Sequence, residues 1–144
     1  VDPALTPHQF HPVMRAAWAL IFPVTAARDV GVLVGAVLMR GALAVAKHKW
    51  REDPPSWVDR TFHRAYFAYV DLAEREGLSL PELTLRWVLS EPRLSSLVVG
   101  FRTPDDITAN VRAASLEPLP EALRKGIDAL GIVHPLISQG RTTL

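Results

Sequence analysis

The sequence contains no cysteine among its 144 residues. This absence excludes a thiol nucleophile, a cysteine-ligated zinc site and a disulfide framework. It is also consistent with the cytoplasmic location that we expect, because disulfides are characteristic of oxidising compartments. A chain of this length can bury a core without cross-links, so we expect one globular domain over residues 1–135 and a polar tail over residues 136–144.

An excess of charge of one sign is absent too. Lysine and arginine number 16, aspartate and glutamate number 15, and the net charge is +1. Nucleic-acid binding depends on clustered positive charge that neutralises phosphates. The charge balance therefore argues against a nucleic-acid partner.

No hydrophobic run is long enough to cross a membrane. The most apolar region, residues 16–46, is interrupted by Arg28, Asp29 and Arg40. Its uncharged stretches fall short of the roughly 20 residues that a span requires. The amino end carries Asp2, where a signal peptide has basic residues. We expect neither a membrane span nor a signal peptide.

The most informative segment is a predicted strand followed at once by a predicted helix start. Residues 97–99 read Leu-Val-Val and are followed by Gly100, a pattern typical of a buried parallel strand. Thr103, Pro104 and Asp106 then supply an N-cap hydroxyl, a first-turn proline and a first-turn acid. We expect a helix from this turn to about residue 113.

This helix start is a candidate anion site. The amino end of a helix carries unpaired N–H groups and about half a positive charge, and Arg102 adds a full charge. Anions commonly bind at such ends. The alternative is an ordinary strand-to-helix turn that binds no ligand, and the local residues leave both interpretations open.

Similar patterns predict the remaining elements. Apolar residues at three- and four-residue steps indicate a helix over residues 57–76 that ends at Gly77. Ser79 and Glu82 match a capping box for the next helix. Further strands are predicted over residues 2–6 and 32–34, further helices over residues 23–28 (ending before Gly31), 42–47, 79–90 and 120–130, and a surface loop over residues 48–56.

The segment between Pro7 and Pro12 is a predicted loop, because prolines at both ends prevent regular structure. It presents His8, Gln9 and His11. Two histidines this close are potential metal ligands, but no third ligand lies near them in the sequence. We expect no metal site.

Tyr66 and Tyr69 are predicted to be core aromatics with a hydroxyl at the rim rather than catalytic acids. Their spacing places them on the apolar face of the helix over residues 57–76. His63 and Arg64 fall off this face and are expected to be solvated.

Strands alternating with helices predict an α/β fold with a parallel sheet and right-handed crossovers. The sequence supplies only about three strands. A parallel sheet needs both faces covered and its edges protected. The chain therefore looks like part of a larger α/β structure.

Several segments in this order resemble the carboxyl-terminal portion of an aldo-keto reductase. The segments are Leu-Ala-Glu-Arg-Glu-Gly-Leu-Ser at residues 72–79, Leu-Thr-Leu-Arg-Trp-Val-Leu at residues 83–89 and the strand-to-helix segment at residues 95–110. Residues 2–6 and 31–43 are similar to the sixth and seventh strands of the same barrel, in its sugar-dehydrogenase-like branch. The resemblance implies the carboxyl-terminal part of a (β/α)8 TIM barrel, with strands six to eight.

The resemblance also implies a dinucleotide site. The pyrophosphate is expected under the loop after the second strand, at Leu38, Met39, Arg40 and Gly41. The 2′-phosphate and adenine are expected after the third strand, at Gly100, Phe101, Arg102, Asp106 and Asn110. Gln9 corresponds to a contact with the nicotinamide amide.

Two departures from the family pattern affect the expected cofactor. Gly35 and Ala36 stand where many relatives have an aromatic residue and a serine, so ring stacking cannot come from that position. Arg102 favours NADP(H), whereas the acid at Asp106 favours NAD(H). The sequence leans to NADP(H) and leaves NAD(H) possible.

The catalytic Asp, Tyr, Lys and His of the family have no counterparts in this chain. The resemblance therefore implies a cofactor-binding portion of an enzyme that transfers hydride between nicotinamide and an aldehyde, ketone or sugar, inactive without the catalytic half. The alternatives are a non-catalytic partial-barrel interaction module, which self-associates through its open sheet edges, or a poorly soluble gene fragment.

Overall fold

A computed structural model describes residues 2–130 of the chain. Its centre is a parallel sheet of three strands in the order β1 (Ala4–Pro7), β2 (Val32–Gly35) and β3 (Ser96–Val98). Pro7 pairs with Gly35, and Gly35 pairs with Val98. The three strands therefore end at one level, and the loops that follow them meet at the same edge of the sheet.

Six α-helices and two 3₁₀ helices accompany the sheet in the described part of the chain. Three of the longer helices begin at a side-chain cap, with Asp59, Ser79 and Thr103 accepting a first-turn N–H. The α-helices are α1 (Ala16–Leu20), α2 (Phe22–Ala26), α3 (Arg60–Arg75), α4 (Leu80–Leu89), α5 (Pro104–Ser115) and α6 (Glu121–Ala129), and the 3₁₀ helices cover Met39–Gly41 and His48–Arg51.

The core lies between the sheet and the helices, with α3 and α4 contributing much of it. The predicted apolar face of α3 is confirmed, since Phe62, Tyr66 and Tyr69 are buried. Trp87 of α4 is buried as well and packs against Phe10, with ring centroids 5.0 Å apart. Gly77 ends α3 as expected, in the left-handed region at φ +66°.

The prediction that β1 and β3 are buried is wrong. Leu5 is 63% exposed and Val98 is 52% exposed, whereas Val32 and Val34 of β2 are buried. In a three-stranded sheet only the central strand has neighbours on both sides, so the outer two are edge strands.

The predicted helix over residues 42–47 is also wrong, because this segment forms turns. The Tyr66 hydroxyl donates to the Ala42 carbonyl (2.8 Å) and accepts from the Lys47 N–H (2.9 Å). These bonds replace the helical bonds that both groups would otherwise make. The loop predicted over residues 48–56 contains the 3₁₀ helix His48–Arg51.

Two further differences concern the segment before β2. Residues 16–20 form α1, which the sequence patterns missed. The helix predicted over residues 23–28 ends at Ala26, because Asp29 adopts φ +52° and turns the chain before Gly31. A left-handed aspartate thus takes the role expected of the glycine.

The predicted capped helix after residue 103 is confirmed as α5, and the last predicted helix is confirmed as α6. Among residues 2–130, no helix is both long enough and apolar enough to cross a membrane. The polar tail predicted over residues 136–144 lies outside the described residues.

Candidate functional site

The loops that follow the three strands form one surface at the carboxyl-terminal edge of the sheet. The loop after β1 begins at His8, whose N–H donates to the Gly35 carbonyl (3.1 Å) at the end of β2. The loop after β2 begins at Ala36 and the loop after β3 at Val99. The three segments in which binding residues were predicted therefore follow neighbouring strands at the same edge of the sheet.

The turn after β2 has an unusual backbone. Ala36, Met39 and Arg40 adopt φ values of +56°, +49° and +51°, and Gly41 follows at +90°. Left-handed backbone at non-glycine residues costs on the order of 1–3 kcal/mol each and is concentrated at functional sites. The turn is closed by the bond from the Gly41 N–H to the Leu38 carbonyl (2.9 Å).

A cleft of about 450 Å³ opens beside this turn. Two of the predicted residues, Met39 and Arg40, line it. The other lining residues come from the start of the loop after β1 and from the long loop between β2 and α3, and the described set is His8, Met39, Arg40, Ala42, Lys47, Trp50 and Trp57.

The cleft is lined by cationic and apolar side chains, with no acidic side chain among the described lining residues. Within residues 2–130, the side chains of Arg40 and Lys47 make no hydrogen bond or ion pair. Basic side chains on the neighbouring surface do have acidic partners, since His48 Nε2 lies 3.5 Å from a Glu74 carboxylate oxygen and Arg51 is paired with Asp71.

The start of α5 was predicted to offer free N–H groups to an external anion. In the structure, a side chain of the protein accepts hydrogen bonds from two of the N–H groups at this turn. The Asp106 carboxylate accepts hydrogen bonds from the Arg102 and Thr103 N–H groups, both at 2.9 Å. These two backbone bonds lower the pKa of Asp106, with smaller help from the Thr103 hydroxyl and the Arg102 charge. The amino end of α5 therefore already holds an anion of its own.

Arg102 keeps its side chain available. In the part of the chain that the structure describes, its guanidinium makes no hydrogen bond or ion pair. Phe101 beside it is 62% exposed, Gly100 is exposed, and Asn110 is half-buried on the following helix. The predicted cluster after β3 is thus an open surface with one cation and one exposed ring, and its role in binding stays a prediction.

Gln9 is exposed and lies outside the lining of the cleft, whereas its neighbour His8 lines it. Lys47, Trp50 and Trp57 were not predicted as site residues. Their signal in the sequence is the presence of two tryptophans in a segment too polar and too rich in proline to be core. His11, expected on the loop surface, is buried.

The buried polar groups of α3 are structural. The Tyr69 hydroxyl lies 2.9 Å from the Thr84 hydroxyl, and burial raises the pKa values of Tyr66 and Tyr69. The Tyr69 hydroxyl bonds within the core instead of at its rim, whereas the Tyr66 hydroxyl lies at the rim, as expected, and bonds to the backbone of the loop that lines the cleft. His63, expected to be solvated, is half-buried with its Nε2 2.8 Å from the Trp50 carbonyl. Residues 2–130 contain no group of three potential metal ligands.

Parallel strands joined by helices, with the loops that follow the strands at one edge of the sheet, are an α/β architecture that doubly wound sheets and barrels share. A sequence model of the aldo/keto reductase family matches residues 1–132. The chain belongs to the aldo/keto reductase family.

Comparisons with individual proteins agree with this assignment. The chain is 34% identical over 71 residues to Protein tas of Escherichia coli (strain K12) and, with the same values, of Shigella flexneri, covering 49% of this chain and 20% of those proteins. It also resembles aldo-keto reductase AKR11C1 from Bacillus halodurans. The holo form gives a TM-score of 0.66 at 20% identity, and the apo form 0.64 at 21%; each comparison covers 96% of this chain and 46% of the other.

These structures show the fold. The three strands and flanking helices correspond to part of an aldo-keto reductase TIM barrel, as expected from the sequence. The chain spans less than half the length of the solved structures that it matches, and its aligned segment covers about a fifth of Protein tas.

Proposed function

We propose that this chain is the cofactor-binding portion of an NAD(P)H-dependent aldo-keto reductase. The bound dinucleotide would supply hydride for exchange with an aldehyde, ketone or sugar. The observation that carries the proposal is the shared edge of the sheet, where the turn holding Arg40 and the segment holding Arg102 follow adjacent strands.

The residues at this edge suit a dinucleotide with phosphate groups. Arg102 offers a guanidinium without a protein partner among the described residues, and guanidinium binds phosphate through paired hydrogen bonds. The turn formed by Leu38, Met39, Arg40 and Gly41 lies where a pyrophosphate is expected from the family. Phosphate sites of TIM barrels commonly lie in these last loops.

The geometry of Asp106 supports NADP(H) over NAD(H). Its carboxylate is engaged by two backbone N–H groups at the start of α5. It therefore acts as a cap, and Arg102 is the group available to a 2′-phosphate. We propose NADP(H) as the preferred dinucleotide and NAD(H) as the alternative.

A fluorescence titration of the chain with NADPH and NADH tests this function. Replacing Arg102→Gln should weaken NADPH binding by about 10- to 150-fold, the range that corresponds to about 1.5–3 kcal/mol for a hydrogen bond to a charged group. Arg112→Gln, which removes an exposed arginine from α5, the helix that follows Arg102, should leave binding unchanged. Equal loss in both variants, or no NADPH binding by the folded chain, contradicts the proposal.

We further propose that the chain alone does not reduce simple aldehydes. The Tyr69 hydroxyl is bonded inside the core and the Tyr66 hydroxyl is engaged by two backbone groups of the loop over residues 42–47, so neither is available to protonate a substrate oxygen. Measurable turnover of an aldehyde by the purified chain contradicts this statement.

The exposed edge strands favour a second candidate function. In this function the chain is a partial barrel that pairs with a second copy of itself or with another chain. Leu5 and Val98 present apolar side chains on β1 and β3, and exposed edges are templates for strand pairing. Sedimentation velocity tests this function. Val98→Lys should dissociate an assembly that pairs through β3. If the unmodified chain is a monomer at all concentrations, self-association is excluded.

A further inference from the structure

We propose that the exposed surface of α1 and α2, together with the turn that follows them, is the contact at which two copies of this chain form a two-fold symmetric dimer. This α1–α2 surface comprises residues 19–29. The inference goes beyond the proposed function, because none of these residues lines the cleft or belongs to the segments proposed to bind the dinucleotide.

The α1–α2 surface is apolar to an unusual degree. No charged residue occurs between Ala16 and Ala27. The indole N–H of Trp18 donates to Glu91 at 2.9 Å, and the Thr25 hydroxyl donates to the Ile21 carbonyl at 3.0 Å, so the polar groups of the segment are satisfied inside the chain. The side chains that remain exposed in this segment are all apolar, and they are Ala19, Leu20, Pro23, Val24, Ala26 and Ala27.

These exposed side chains are neighbours on one helical surface. Ile21 joins α1 to α2 with helical backbone angles, since its N–H donates to the Ala17 carbonyl and its carbonyl accepts from the Thr25 N–H, both at 3.0 Å. Residues four apart therefore lie side by side across the join, as Leu20 and Val24 do, which are 45% and 50% exposed. Contiguous exposed apolar surface marks sites of interaction with other molecules.

Two opposite charges stand at the end of this surface. Arg28 and Asp29 follow it directly, and both are exposed. Within the part of the chain that the structure describes, neither residue takes part in an ion pair. The Arg28 guanidinium donates to the Val24 carbonyl at 3.4 Å, and Asp29 turns the chain out of the helix at φ +52°. A base and an acid are thus both available to an outside partner at one place.

An apolar surface that ends in a base and an acid is complementary to itself. In a two-fold dimer the same surface lies on both sides, so a contact between two residues occurs twice with the roles exchanged. With the axis near Ala27, Arg28 of each copy meets Asp29 of the other, and the apolar side chains of the two copies cover each other. The small side chains of Ala26 and Ala27 allow the helices to approach closely. The paired charges favour a second copy over an unrelated apolar partner.

Sedimentation velocity over a range of chain concentrations tests the contact. Val24→Lys should raise the dissociation constant of the dimer by about tenfold or more, because it buries an unpaired charge in an apolar contact. Val45→Lys is the matched control, since it makes the same change at a 63% exposed valine of the loop after β2 and should leave the dissociation constant unchanged. A monomer at all concentrations, or equal loss in both variants, overturns the proposal.

Exchange of the two charges tests the symmetry. Arg28→Glu leaves two acids at this end of the surface, and Asp29→Lys leaves two bases, so each variant alone should lose about tenfold in dimer affinity through repulsion of like charges. An equimolar mixture of the two should restore the affinity as a heterodimer, which native mass spectrometry distinguishes by mass. Recovery in the mixture also shows that both variants are folded. A mixture with no excess of heterodimer over homodimers overturns the two-fold arrangement.

Val98→Lys separates this contact from pairing between sheet edges. A dimer formed through the α1–α2 surface should persist in Val98→Lys with its dissociation constant unchanged. A dimer that is lost in Val98→Lys and kept in Val24→Lys pairs through β3, and that result overturns the inference.

Discussion

Tyr66 fixes the loop that lines the cleft, and its hydroxyl is the most informative single group to remove. It donates to the Ala42 carbonyl at 2.8 Å and accepts from the Lys47 N–H at 2.9 Å. Both residues line the cleft. Tyr66→Phe keeps the buried ring and breaks the bridge between the two ends of this segment.

The expected cost follows from the two backbone groups left without a partner. An unsatisfied buried group costs about 1–3 kcal/mol, and Lys47 is only half-buried, so water can reach its N–H in the variant. We expect a total loss of about 2 kcal/mol in the free energy of unfolding. For a chain of this size, that corresponds to a fall in Tm of roughly 6 °C.

Tyr69→Phe is the matched control, because it removes a buried hydroxyl of the same helix that bonds to Thr84 at 2.9 Å. Both variants should lose stability. Only Tyr66→Phe should accelerate hydrogen exchange at the Lys47 amide and weaken ligand binding in the cleft. Unchanged exchange at Lys47 in Tyr66→Phe would refute the claim that this hydroxyl holds the loop.

Two further predictions concern the buried side chains of His11 and Arg15, which follow β1 in the chain. Burial, with smaller contributions from nearby positive charge, lowers the pKa of His11 to about 3. Its unfolded value is near 6.5, so stability is complete above pH 6.5 and falls by as much as about 1.4 kcal/mol per pH unit towards pH 3. Urea titrations across this range should become flatter in His11→Gln, and an unchanged slope in this variant would refute the role of His11. Arg15 lies 5.0 and 4.8 Å from the centroids of two tryptophan rings and donates to carbonyls at the end of α6. Arg15→Met should therefore lower the free energy of unfolding by about 2–4 kcal/mol in urea, and an equal loss in the exposed Arg28→Met would refute this reasoning.

Local sequence determined the features that depend on neighbouring residues. The capped start of α5 follows from Thr103 and Asp106, whose side chains and N–H groups bond to one another across four residues. The apolar face of α3 follows from its three- and four-residue spacing, and Gly77 ends that helix because it tolerates a positive φ. These signals need no knowledge of the rest of the chain.

Tertiary structure decided the features that depend on distant partners. The segment over residues 42–47 has good helix-forming residues, yet Tyr66, some twenty positions away, takes its backbone groups and keeps it in turns. Exposure of β1 and β3 depends on how many strands stand beside them, which short apolar runs do not encode. The chain turns at Asp29 instead of at Gly31 because of the path that it takes into β2.

The candidate site divides in the same way. Arg102 could be named from the predicted strand and helix start on either side of it, whereas Arg40 was named from the resemblance to the family. The cleft could not, since Lys47, Trp50 and Trp57 are brought to the end of β1 only when the long loop folds back over α3. Tertiary structure also decided which basic side chains have an acidic partner. Arg51 pairs with Asp71 and His48 lies beside Glu74, whereas Arg40 and Lys47 line the cleft. Sequence determined the caps of α4 and α5 and the buried face of α3 because those depend on near neighbours. Tertiary packing determined the lining of the cleft because its groups are far apart in the chain.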